Sequence, residues 1–539
     1  MANGRTVNIQ FDPNDLNHVW TSVHENSSQV CGRLYNVALP DFDPAQVVQD
    51  MAATATALQG LLGQAIATAP NPTRLHCIGS GWSLSNAPIV STTSSDMWML
   101  STVGMNLCWK MQPAQINPAY PGAANGGLYL AQGGLNIRDL NDTVEADGQS
   151  LKTCGASNGQ TIAGAVATGT HGSAFQFGAM PEFIVGIHLI TSPTTNVWLE
   201  RASYPVVADA FITELGAKLT RDDDLFNAAL VSFGSFGIVA GMMVETVPKY
   251  LLRGQRIKLS VNSDFLQAMN TMQLAALPLN NPGQTPWHFE VTFLPPDLSL
   301  NSGTIQGSGY VQTFYKAPYP ANGQYNHPAL PNGISPGESL LGVIGSLAAV
   351  LPVDWFAGVI RSGLPLYPVP PVPVFGTCGE IFTDGINTLQ GKGMSMEMGI
   401  SADQAAAVLQ LILSSPVIGN YLGVISYRWV KQTSAMLGWT KFPLTATIEF
   451  NASFNDNTIR FYQSVWNALT TNGIPFTLHW GQMNNFSPAL VRQMYGPAIA
   501  TWLACRNRLM DSAMQGVFSS DFLISTGLDI SQNPPVAPS

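Results

Sequence analysis

The chain has 539 residues, too many for one ordinary hydrophobic core, so two or three domains are expected. Only 10% of its residues are charged, but 50 Gly, 37 Pro and many Asn, Gln, Ser and Thr keep it polar, as in a loop-rich globular protein rather than a membrane-embedded one. A formal net charge of −10 with scattered Lys and Arg provides no basic field for a phosphate backbone, which argues against a nucleic-acid partner.

The first fifteen residues have no apolar run behind a basic start, so no secretory signal is read and a cytoplasmic location is expected. Six cysteines (Cys31, Cys77, Cys108, Cys154, Cys378 and Cys505) occur singly, without CxxC or paired His spacing. They are expected to be buried thiols rather than metal ligands or a disulfide framework. The apolar stretch 339–353 is shorter than the roughly 20 residues a membrane span needs and is interrupted by Pro352 and Asp354, so no transmembrane segment is expected.

Val47, Met51, Ala55, Leu58 and Leu62 recur at helical spacing and predict an amphipathic helix over 44–70, followed by a strand at RLHCIG. From Gly127 the pattern reads strand, turn, short helix and turn. Residues 182–200 read as two strands joined by SPTT, and 225–248 as a helix, a glycine loop and a long strand ended by proline. The texture changes near Lys249, where alternating strands such as IKLSV and HFEVTFL begin, and a Pro- and Gly-rich region covers about 316–380. Beyond it, a helix is expected at 402–413, strands at 423–431 and 444–453, and helices at 455–470 and 489–514. The fold class predicted is α+β, with three parts: 1–248, 249–485, and a helical segment 486–539 returning to the first.

Two segments are rich in small residues. Gly79-Ser80-Gly81-Trp82-Ser83 follows a predicted strand, and its glycines allow consecutive N–H groups to converge on an anion; an ordinary tight turn would read the same way. Gly155 to Gly172, GASNGQTIAGAVATGTHG, suits a backbone lying against a large planar or phosphorylated ligand, or a Gly/Ala helix packed closely on a sheet. It lacks GxGxxG, which disfavours a Rossmann-type dinucleotide site.

TIAGAVATGTHGS resembles the signature of alditol and sugar-lactone oxidases, flavin enzymes of the vanillyl-alcohol-oxidase superfamily. The loop at 79–83, the segment SFGSFGIVAGMMVETVP (232–248) and LHWGQMN (478–484) fit the same resemblance. It implies an FAD-binding domain of two α/β subdomains over 1–248 and a substrate domain with a large antiparallel sheet over 249–485. It further implies that FAD is held by Gly79, Ser80, Gly81, Trp82 and Ser83; by Ser157, Gly159, Thr161, Ile162 and Gly164; by Thr168, Gly169, Thr170, His171 and Gly172; and by Gly237, Ile238 and Val239. Relatives that tether flavin do so through a histidine in the first loop or a cysteine near 157. Here Ser80, Trp82 and Ser157 stand at those places and Cys154 lies three residues early, so non-covalent FAD is expected.

The relatives' Glu-x-Arg pair falls on GVISYRWV, where Arg428 is kept and Ser426 replaces the glutamate; the lysine after HWG is Gln482. Alcohol oxidation needs a proton acceptor and a positive group to stabilise the reduced flavin. Arg428 is the expected cation, and His479 the expected base with Glu397 and Glu449 as rivals; no metal is expected. Electrons would pass from an alcohol to FAD and then to O2. The apolar stretch from Ser339 to Phe375 suggests either a lid over a bulky apolar alcohol such as a sterol, as in the superfamily's cholesterol oxidases, or an insertion that only builds a hydrophobic core or an oligomer interface. The alternatives are a polyol or sugar-lactone oxidase, a dehydrogenase using another acceptor, and a non-catalytic flavoprotein.

Overall fold

The computed structural model describes residues 6–529 apart from 16, 69–71, 92–96, 123–125, 156, 280, 282, 326–372 and 383–392. The expected apolar lid falls almost wholly outside the described residues. The helix expected over 44–70 runs Val47–Ile66 and buries Val47, Met51, Ala55, Leu58 and Leu62, as its 3.6-residue period requires. It lies between two sheets. One is four-stranded, in the order Asn8–Gln10, Arg33–Ala38, Trp98–Ser101, Leu75–Ile78. The other is six-stranded, in the order Lys218–Arg221, Thr195–Glu200, Ile184–Ser192, Ile238–Glu245, Leu128–Gln132, Cys108–Lys110. Leu58, Leu61 and Leu62 share a core with Leu75 and Leu100 of the first sheet and with Ile190, Ile238 and Ala240 of the second. Burying a Leu side chain contributes roughly 1.5–3 kcal/mol, so this stripe anchors both sheets to one helix.

The change of texture at 249 coincides with a third sheet. Nine antiparallel strands begin with Tyr250–Ser260; the main path runs Val374–Gly376, Tyr250–Ser260, Thr304–Pro318, His288–Phe293, Gly423–Lys431, Leu444–Ser453, Gly393–Ser401, Phe476–Leu478. The α+β class holds, and the strands expected at 423–431 and 444–453 have those bounds. One face packs Met394, Met396, Met398, Tyr427, Trp429, Ile448 and Phe450 under helices Ser263–Thr271, Ala405–Leu413 and Asp456–Thr471. With a side-chain period of two, the intervening residues must face the other way.

The final helix expected over 489–514 is instead three: Pro488–Tyr495, Ala498–Leu509 and Ser512–Val517. Gly496, at φ +52°, and Pro497 break the first junction, because a positive φ and a missing N–H both end helical hydrogen bonding. The middle helix packs on the second sheet's side: the Trp502 indole donates to Ala228 O and Val231 O, and Arg506 Nε donates to Ser235 O. Among the described residues no helix is long and apolar enough to cross a membrane.

Candidate active site

A deep cavity lies between the polar face of the nine-stranded sheet and the two small-residue segments. Gly79, Ser80, Gly81, Trp82 and Ser83 all line it. Gly81 adopts φ +76°, the left-handed turn glycine permits, and no backbone N–H from Gly79 to Ser83 donates to an acceptor among the described residues. Unspent donors facing a cavity suit a diphosphate.

The second segment is stitched to the first. Ser80 Oγ donates to Gly159 O at 2.5 Å, and a Cβ at Gly159 would meet the Trp82 ring at 2.6 Å, so only glycine allows this approach. Ser157, Thr161, Gly164, Thr168, Thr170, His171 and Gly172 line the cavity, as do Gly237 and Val239. Gly237 has φ +116°, and a Cβ there would lie 2.5 Å from Ile190 O. Four residues of the expected set stand elsewhere. Ile162 and Ile238 are fully buried in the packing behind the loops. Gly159 lies beneath Trp82, and Gly169 accepts a hydrogen bond from the Trp439 indole. Helix phase turns Ile162, and strand alternation Ile238, from the cavity, which the small-residue pattern does not reveal. Cys154 lines the cavity and donates its thiol to Asn158 Oδ1 at 3.0 Å.

The cavity floor is the polar face of the sheet. Register sets Arg256 opposite Gln312, Gln312 opposite Glu290, and Glu290 opposite Arg428. In the adjacent row Tyr310 faces Thr292, Thr292 faces Ser426, Ser426 faces Glu449, and Glu449 faces Glu397. All of these line the cavity. Arg428 Nη2 donates to Glu449 Oε2, and Arg428 also lies 3.8 Å from Glu290 and 3.9 Å from Glu397. Glu397 in turn accepts from His171 Nε2 at 2.9 Å, while Gln482 Nε2 donates to Glu449 Oε1 at 3.0 Å and to Glu397 Oε2 at 3.3 Å. His171 thereby clamps the second loop to the sheet, its Nδ1 pairing with Gly172 O at 2.7 Å.

Burial alone would raise the Glu397 carboxyl, but His171 and Arg428 reverse this and hold it at about 2. The same opposition, with the His288 hydrogen bond and Arg428 prevailing over burial, brings Glu290 to about 2. Burial pushes His479 down to about 4. His479 Nδ1 accepts the Gly481 N–H at 2.9 Å, so the neutral ring carries its proton on Nε2. The four expected catalytic residues, Arg428, His479, Glu397 and Glu449, are therefore brought to one wall. Glu290, Arg256, Gln312, Thr292 and Asn451 were not foreseen, although strict alternation in HFEVTF was a usable signal for Glu290 and Thr292.

No family model matches the chain. It is 27% identical over 165 residues to the D-arabinono-1,4-lactone oxidase of Yarrowia lipolytica, covering 29% of this chain and 26% of that protein. It is 26% identical over 150 residues to L-gulonolactone oxidase 3 of Arabidopsis thaliana, covering 28% and 22%. The matched segments thus span only about a quarter of those relatives. The crystal structure of cholesterol oxidase from B. sterolicum superposes with a TM-score of 0.62 over 96% of this chain and 97% of that one at 10% identity, which establishes a shared fold. The resemblance to the vanillyl-alcohol-oxidase superfamily read from the motifs agrees with these likenesses, and FAD, the cofactor expected from the sequence, is consistent with all of them.

Proposed function

We propose that the cavity binds FAD without a covalent bond and oxidises a hydroxyl-bearing carbon of a neutral, sugar-type substrate, a lactone or polyol, with O2 as the final acceptor. The observation that carries the substrate class is the floor, where Glu449, Ser426, Thr292, Tyr310 and Gln312 offer hydrogen-bonding groups on successive strands. The apolar stretch that suggested a sterol lies outside the described residues. The names of the sugar-lactone oxidases among the relatives support the same choice.

The N–H groups of Gly79–Ser83 would hold the diphosphate, with Ser157, Thr161, Gly164, Thr168, Thr170, Gly172, Gly237 and Val239 around the remainder. Bound FAD supplies the hydride acceptor, which no side chain provides. Arg428 stabilises the negative charge that develops as the bond to hydrogen breaks. Glu449 takes the hydroxyl proton: its side chain is 12% exposed, whereas that of Glu397 is 2% exposed. His479, whose proton sits on Nε2, acts as a hydrogen-bond donor. Glu397 and His171 hold Arg428 and the second loop in place.

The test is a substrate screen of the FAD-loaded protein that compares sugar lactones and alditols with an aliphatic alcohol series and a sterol, followed as peroxide release. Turnover confined to the polar group supports the proposal; rates that rise with aliphatic chain length contradict it. Bound flavin with no substrate in either group would mark a non-catalytic flavoprotein.

A further inference from the structure

Among the described residues nothing hydrogen-bonds to the Asn451 carboxamide, although the residue lines the cavity and is only 6% exposed. Its Oδ1 is buried and unpaired, and Tyr421 Oη donates instead to its backbone O at 3.1 Å. Asn451 stands on Leu444–Ser453 two places beyond Glu449, so the strand's period of two turns both side chains to the same face. The residues opposite it do not use the amide. On one side Ser395 Oγ lies 3.2 Å from Glu449 Oε1 and 2.8 Å from Gln482 Oε1, and on the other Val424 packs with Leu294 and Tyr310. An amide buried without a partner costs free energy that a leucine of nearly the same shape would not, so folding alone does not account for it.

We infer that Asn451 binds a substrate hydroxyl other than the one oxidised, and so makes a polyhydroxylated compound, rather than a simple alcohol, the preferred substrate. This rests on the function proposed above, in which Asn451 has no role. The strand that holds Asn451 carries the proton acceptor Glu449 and is not one of the glycine-rich loops around the diphosphate, so the group it meets belongs to the substrate.

The chemistry of the amide selects that group. A carboxamide presents a donor and an acceptor in one plane, and a hydroxyl can answer either. A methylene in the same place leaves both unpaired, which is how a polar site rejects a deoxy compound more strongly than an apolar site rejects a hydroxyl. A carboxylate could use only the N–H, and it would stand close to Glu449 and to Glu397, which is held at about 2 and so ionised at neutral pH.

The experiment uses the FAD-loaded protein with sorbitol, gulono-1,4-lactone and the monodeoxy analogues of each, read as kcat/KM and as calorimetric Kd. In the wild type, removing one hydroxyl besides the oxidised one is expected to lower kcat/KM by about tenfold or more. Asn451→Leu should lower the parent compound by the same factor, leave that analogue unchanged, and keep Tm at or above the wild-type value. Asn451→Ala takes its place if the leucine variant does not retain FAD. A wild type that tolerates every such deletion overturns the inference. So does a parent-to-analogue ratio that the substitution leaves unchanged, whether both compounds slow or neither does, and so does loss of FAD from both variants. If no compound is oxidised but calorimetry shows a deoxy penalty that Asn451→Leu removes, the inference stands and the oxidase reading fails. Failure of every compound to bind overturns both.

Discussion

Ser426 and Glu449 sit directly opposite each other on neighbouring antiparallel strands, and Glu449 binds Arg428, two residues along from Ser426. The carboxylate missing from the expected Glu-x-Arg pair is thus supplied from across the sheet. The guanidinium has a carboxylate partner although its own strand supplies none.

Glu449→Gln should retain FAD and slow flavin reduction by roughly 100-fold or more, the usual contribution of a positioned proton acceptor. Stopped-flow absorbance under anaerobic conditions measures this. Reduction at the wild-type rate would remove Glu449 from the proton path and return Glu397 to consideration.

Arg428→Ala should also leave FAD bound. Losing one preorganised charge costs about 3 kcal/mol, or about a hundredfold in the reduction rate. Because Arg428 and Glu449 share a hydrogen bond, the double variant should lose much less than the product of the two single effects. Multiplicative losses in the double-mutant cycle would show that the two act separately.

Stability should fall on mild acidification. Burial lowers His24, His76, His188 and His479 from 6.5 to about 4 each, so between those values the unfolded chain binds more protons than the folded one. Their contribution is complete above 6.5 and is lost as pH falls toward 4. Glu290 and Glu397, held at about 2 against an ordinary 4.5, contribute stability above 4.5 that is lost as pH falls through that lower range. The melting temperature should decline from pH 7 to pH 5, with net proton uptake on unfolding. A flat profile over that interval would contradict the buried neutral histidines.

The elements themselves were largely legible. Period 3.6 marks the helix at Val47–Ile66, and the strands expected at 423–431 and 444–453 are Gly423–Lys431 and Leu444–Ser453, because the buried face of each element imposes its own spacing. What a single sequence does not state is register. That Ser426 meets Glu449, or that Arg256 meets Gln312 across 56 residues, depends on how distant strands align. His479 illustrates the other limit: its residue type suggested a base, but the Gly481 N–H on Nδ1 and complete burial assign its proton and lower its basicity.

Denaturation in acid should release FAD into the supernatant. Ser157 stands where a tethering cysteine would be needed, and the Cys154 thiol, at the cavity wall but 1% exposed, donates to Asn158 Oδ1. Yellow colour retained on the washed pellet would instead identify a covalent flavin, and Cys154→Ser would then test that residue as its anchor.

The most direct test of the account is the anaerobic absorbance spectrum of the purified, FAD-loaded protein before and after addition of a sugar lactone or alditol. The account predicts an oxidised flavin band near roughly 450 nm that bleaches with the sugar compound and returns when air is admitted. A protein that takes up no FAD would contradict the assignment of the Gly79–Ser83 cradle, and a flavin band that no hydroxylated carbohydrate bleaches would contradict the assignment of the floor around Arg428 and Glu449.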